Sequence, residues 1–137
     1  MGSLAFRKNY SYDLNQPGIT VPVYLSLGET RIELHAKVDC GASACIFARG
    51  HGELLGLNIE SGTPEYFGTA TGRFKAYGHP ITLSVLEFEF DSVVYFAEDP
   101  AFTREVLGRQ GWLDRLRFGL VDYEGKLYLS DYNDPTS

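Results

Sequence analysis

Sulfur chemistry has little to work with in this chain. There are two cysteines, Cys40 and Cys45. They are too few for a disulfide scaffold and do not form a Cys-x-x-Cys pair. Both sit among apolar or small residues and are expected to be reduced thiols of a cytoplasmic protein. No apolar run is long enough to span a bilayer as a helix. Met1 to Asp13 holds no apolar stretch either, so no signal peptide is expected. Positive charge is in deficit, with 12 Lys and Arg against 18 Asp and Glu and a net charge of −6. That balance disfavours nucleic acid and an anionic membrane as partners. His35, His51 and His79 show no metal-ligand spacing. No Gly-x-Ser-x-Gly elbow and no phosphate-cradling glycine loop is present.

What the chain does have is nine Tyr, nine Phe, 15 Gly and short runs of β-branched residues. That is the composition of an all-β domain with many turns. Its 137 residues suit one domain with a real core. The expected organisation is an N-terminal arm or edge element (1–16), a folded domain (17–130) and a polar tail (131–137). Pro17-Gly18 marks a turn, and Ile19 to Leu27 a strand, with Pro22 suggesting an edge position or a late start. Gly28-Glu29 turns the chain into a second strand. There Ile32, Leu34, Ala36 and Val38 alternate with Arg31, Glu33, His35 and Lys37, so one face packs on a core. Cys45-Ile46-Phe47 reads as a short strand. Arg49 to Leu57 reads as one or two helical turns with Leu54, Leu55 and Leu57 facing in. Glu65 to His79 reads as a hairpin with a small-residue tip, and Ile81–Val85 with Phe88–Ala97 as another. Val106-Leu107 suits a buried strand, Arg109 to Leu116 a helix presenting Trp112, Leu113 and Leu116, and Leu120 to Leu129 a closing hairpin. Trp112, Phe88, Phe90, Tyr95 and Phe96 are expected in the core.

The chemistry concentrates where the alternation stops, at Asp39-Cys40-Gly41-Ala42-Ser43. Small residues at Gly41 and Ala42 let another backbone approach, and Gly41 can adopt an angle other residues avoid. An Asp-x-Gly-Ala string is weak evidence alone, since without context it reads more readily as a polar strand end with an Asx turn. Here it follows an alternating strand and is answered near the C-terminus by Val106-Leu107-Gly108-Arg109. Together these resemble the retropepsin family of aspartic proteases, bacterial-type rather than viral, from about Ile19 to about Leu129. The resemblance implies a closed β-barrel with one or two short helices, working as a homodimer on an extended peptide. Asp39 would be the catalytic residue and Gly41 and Ala42 would lie near substrate backbone. Thr69, Ala70, Thr71, Gly72 and Arg73, up to Phe74, would form a flap closing over the substrate. Val106, Leu107 and Gly108 would pack beneath the active-site loop, with Arg109 following.

Peptide hydrolysis in that family uses two carboxylates sharing one proton, one acting as base and the other as acid. Asp13, Asp91, Asp99, Asp114, Asp122, Asp131 and Asp134 all lack the following x-Gly-Ala and the preceding alternating strand. The partner carboxylate is therefore expected from Asp39 of a second copy, and no metal or organic cofactor is needed. Two departures stand out. Cys40 replaces the Thr or Ser whose hydroxyl braces the loop across the dimer, and a thiol is a weak donor and acceptor. Ser43 and Ala44 stand where viral relatives often carry an acid to pair with the later Arg. Cys40 therefore also admits a second reading, a non-catalytic dimerisation or peptide-binding module of the same fold. A third reading is a small barrel for an apolar ligand, with Asp39 incidental. A Cys40 nucleophile served by His35 is disfavoured, because alternation puts the two on opposite faces of the strand.

Overall fold

A ring of strands and a separate three-stranded sheet carry the chain, and the computed structural model describes residues 2–134. The strands are β1 (Lys8–Ser11), β2 (Thr20–Leu27), β3 (Thr30–Val38), β4 (Ile46–Phe47), β5 (Thr63–Thr69), β6 (Gly72–Val85), β7 (Phe88–Ala97), β8 (Val106–Leu107), β9 (Leu116–Val121) and β10 (Lys126–Asp131). One α-helix, α1 (Arg49–Leu54), follows β4, and 3-10 turns cover Ile59–Ser61, Leu113–Arg115 and Asp122–Glu124. The larger sheet runs β2-β3-β8-β4-β7-β6-β5, and β2 also pairs with β6. That last pairing closes the sheet on itself and leaves the β5 edge outside the ring. Closure pairs the β2 edge, which an open sheet would offer to other chains, and leaves β5 paired on one side. Antiparallel β1, β10 and β9 form the second sheet.

Alternation decides which side chains fill the barrel. Val21, Val23 and Leu25 of β2, Leu83 and Val85 of β6, and Val94 and Phe96 of β7 are fully buried. Leu127 and Leu129 of β10 join the same core, as does Trp112, whose ring lies 6.2 Å edge-on from Phe118. The terminal sheet is therefore packed onto the barrel by its own inward-facing residues. Of the expected core aromatics, Trp112, Phe88 and Phe96 are buried, while Phe90 and Tyr95 are half-buried.

Pro22 and Pro80 sit within strands where a missing N–H costs little. Pro22 lies opposite His35 of β3, and the pairing of β2 with β6 begins only at Val23. So β2 is no edge strand, although its Pro-bearing start is paired on one side only. Pro80 lies within β6, between the end of the β5 pairing at Gly78 and the start of the β2 pairing at Thr82. This placement lets β6 continue as one strand through two hairpins.

Three local expectations need correction. No α-helix forms over Arg109–Leu116. Gln110 bridges to Ala44 in extended form, and Gly111 turns at φ +93, leaving room only for a 3-10 turn. Leu54 is 67% exposed, because α1 is a single short helix whose inward contacts come from Leu55 and Gly52. Gly41 does not use a left-handed angle, which is taken instead by Gly28, Gly56, Gly72, Gly111 and Gly125. The polar C-terminal segment begins inside β10, where Ser130 is fully buried; residues 135–137 of the expected tail lie outside the described residues.

Candidate active site

Asp39 leaves the end of β3, and the backbone around it is held from below by β8. Lys37 and Val38 pair in parallel with Val106 and Leu107. The Asp39 N–H donates to the Leu107 carbonyl at 2.9 Å, and the Ala42 N–H donates to the Asp39 carbonyl at 3.1 Å. The Gly41 N–H donates to Asp39 Oδ1 at 2.9 Å, which makes an Asx turn and fixes one carboxylate oxygen. The Arg109 and Gln110 N–H groups then donate to the Ala42 and Ser43 carbonyls, both at 2.9 Å. This strapping requires a glycine. A Cβ on Gly108 would fall on the Ala44 carbonyl oxygen and 2.8 Å from that of Ala42. On Gly41 it would stand 3.3 Å from Asp39 Oδ1, a tight contact.

Asp39, Cys40, Gly41 and Ser43 are exposed, and Ala42 is half-buried. Cys45 lies beneath the loop, its thiol 3.7 Å from the Gln110 carbonyl. Burial pushes that thiol up to about 12, which leaves it inert as a nucleophile. Among the described residues, Cys40 has no hydrogen-bond partner for its thiol and Arg109 has no carboxylate partner. Arg109 thus serves the loop through its backbone.

Above the loop stands the hairpin of β5 and β6. Thr69 pairs with Gly72, Ala70 and Thr71 form the tip, and the Thr69 hydroxyl donates to the Gly72 carbonyl at 3.0 Å. Arg73 lies with its guanidinium 4.6 Å from the Tyr66 ring. The base of the hairpin is held by rings. Phe67 faces Phe74 across the strands at 5.7 Å, Phe74 stacks on Phe102 at 4.5 Å, and Phe67 meets the edge of Tyr95 at 5.1 Å. Loop and hairpin enclose a cavity of about 980 Å³ with Asp39 at its floor, and Asp39 is the one carboxylate among its lining residues. A second cavity of about 500 Å³ adjoins Asp39 from the other side, along β3.

The side wall, Ala101 to Arg104, was not expected as part of the site. The available signal is its position just ahead of Val106, which is expected to pack beneath the Asp39 loop. Behind this wall Glu105 accepts the Ala48 N–H at 3.2 Å and lies 3.0 Å from His51 Nε2, tying the wall to α1. Burial raises Glu105 from 4.5 to about 7, against the opposing Ala48 N–H, and lowers His51 below its usual 6.5. His79 is buried and bonds the Ile59 carbonyl at 2.9 Å, while His35 is exposed on β3. Among the described residues, no three His, Cys, Asp or Glu side chains converge as a metal site would need. Nor is any helix long and apolar enough to cross a membrane.

Neither a family model nor a curated protein matches the chain. Among solved structures it is similar to the crystal structure of a retropepsin-like aspartic protease from Rickettsia conorii. The TM-score is 0.66 at 16% identity, over 90% of this chain and 97% of that one. The chain therefore has the all-β acid-protease fold.

Proposed function

We propose that the chain is a bacterial-type, cytoplasmic aspartic endopeptidase that acts as a homodimer on extended peptides. The observation that carries this reading is the lone Asp39 carboxylate, exposed at the floor of a cavity that has no other acid in its lining. One carboxyl cannot be ionised as base and protonated as acid in the same step. A two-fold axis beside Asp39 would bring in its copy, and two carboxylates that close cannot both stay ionised. The ionised one takes a proton from a bound water while the water oxygen attacks the peptide carbonyl carbon. The protonated one supports the developing oxyanion, and a proton then passes to the leaving nitrogen. The pair titrates as a unit. Gly41 and Ala42 leave room for substrate backbone. The Thr69–Arg73 hairpin covers the substrate and excludes water.

Asp39→Asn tests the reading directly. The amide oxygen still accepts the Gly41 N–H, so the melting temperature should stay within a degree or two while peptide cleavage falls by about a thousandfold or more. Full cleavage by this variant, or cleavage by a species that sediments as a strict monomer, would overturn the assignment. Cys40 favours the second reading, a non-catalytic dimerisation or peptide-binding module, because its exposed thiol gives the loop little to bond with. Cys40→Thr separates the two: a rise in cleavage marks a weakly braced enzyme, and binding without cleavage in both forms marks the module.

A further inference from the structure

The walls beside Asp39 carry charge of the sign that is scarce in the rest of the chain. Arg104 lines both cavities that meet at Asp39. Lys37 lines the second cavity from β3, two residues before Asp39 at the exit of that strand. Arg73 lines the first cavity from the hairpin above. All three are exposed. Among the described residues none of them has a carboxylate within 4.0 Å, whereas Arg7, Lys8, Arg49 and Arg115 each do. The acids in the two linings are Asp39 and Glu105. The Glu105 carboxyl is already engaged by the Ala48 N–H and His51. A chain of net charge −6 thus places cations without carboxylate partners along this groove, Arg73 over the Tyr66 ring.

From this we infer that the groove selects peptides with acidic side chains flanking the cleaved bond, and that Arg104 is the main determinant. The inference rests on the endopeptidase reading and names its substrate class. Apolar contact is supplied by Ile46, Phe74, Phe102 and Val106, which line the same cavity as Arg73 and Arg104. An extended peptide advances about 3.3 Å per residue. Residues one to three positions from the scissile bond therefore pass the basic walls. A Glu or Asp there meets Arg104 or Lys37 in partly enclosed surroundings, where opposite charges attract more than in open water. A Lys or Arg there meets repulsion, which supplies discrimination from the other side.

The test uses fluorogenic peptides with one apolar cleavage site, varied one position at a time among Glu, Gln and Lys. Cleavage and binding are both measured, binding by fluorescence anisotropy with Asp39→Asn protein. We expect kcat/KM to fall in the order Glu, Gln, Lys, by about three- to tenfold per step at low salt, with the spread shrinking as salt rises. Arg104→Glu should reverse the order, and Arg104→Gln should flatten it. Because Arg104 is exposed and has no carboxylate partner, both variants should keep the wild-type melting temperature. Equal cleavage of all peptides overturns the inference and leaves the endopeptidase reading standing. Binding in the stated order without any cleavage overturns the endopeptidase reading and leaves the charge preference standing. Peptides neither bound nor cleaved overturn both.

Discussion

The floor and the roof of the groove are held in opposite ways. At the floor, the Asp39 loop is tied to Leu107, Arg109 and Gln110 by main-chain hydrogen bonds, over a glycine that admits no Cβ. At the roof, the β5–β6 hairpin pairs only with itself at its tip and is seated through Phe67, Phe74, Phe102 and Tyr95. Backbone bonds between buried strands set positions to a fraction of an ångström, whereas ring packing at a half-exposed edge tolerates sliding. The Asp39 carboxylate thus sits on the fixed element, and Thr69 to Arg73 on the one that opens at least cost. A site needs this division if the acid must keep its geometry while a peptide enters and leaves.

Four substitutions can break or sharpen that contrast. The largest effect is expected from Gly108→Ala. The new methyl meets backbone carbonyls that have no side-chain freedom to yield, so stability should fall by about 3 kcal/mol or more in denaturant melts. A loss below 1 kcal/mol would mean that the floor is less rigid than its bonding implies.

Glu105→Gln comes next and reads out through pH. Glu105 is 16% exposed, and burial raises it from 4.5 to about 7. Between those values the folded chain keeps a proton that the unfolded chain has lost. This contribution is complete below pH 4.5 and is lost as pH climbs through 7. Burial lowers His51, which acts in the opposite sense: its contribution is present above 6.5 and is lost as pH falls. Glu105→Gln keeps an acceptor for Ala48 and removes only the carboxyl titration. The wild type should therefore lose on the order of 2 kcal/mol relative to the variant between pH 5 and 8. Parallel stability curves would show that Glu105 is solvated in the folded chain.

Phe74→Ala should cost about 1–2 kcal/mol, since the ring is half-buried. Its sharper signature is local. Amide exchange should quicken across 65–76 and stay unchanged at 38–44 and 106–110. Equal acceleration at both would mean that floor and roof open as one unit. The smallest effect belongs to Thr69→Val, which removes the hydroxyl bond to the Gly72 carbonyl. Global stability should change by about 0.5 kcal/mol at most, with faster exchange confined to the hairpin tip.

The two regions also differed in how far they could be read in advance. Asp39 and its loop stood out because a period of two ended abruptly in Asp-x-Gly-Ala, and Val106-Leu107-Gly108 was recognisable as its support. The hairpin was visible from its small-residue tip, since β-strand pattern and turn chemistry are both local. The side wall at Phe102 to Arg104 was not visible, because nothing local marks a coil segment as lining a cavity. The parallel pairing of β8 with β3 sets Val106 opposite Lys37 and Leu107 opposite Val38, which brings the segment ahead of Val106 alongside β3. The Arg109–Leu116 helix failed for a related reason. Its apolar spacing was compatible with a helix, but the backbone of Arg109 and Gln110 is engaged by Ala42 and Ser43.

By itself the amino-acid order determined the strands, their turns and the single acid at the end of the alternation. These follow from side-chain periodicity and glycine placement, which act over a few residues. Tertiary structure alone decided that β2 meets β6 to close the barrel. It also decided that Phe102 and Arg104 line one cavity with Asp39, and that the Glu105 carboxyl meets Ala48 and His51. Those are contacts between segments far apart in sequence. They exist because burying one shared core forces distant strands into register, and no stretch of the chain encodes that register alone.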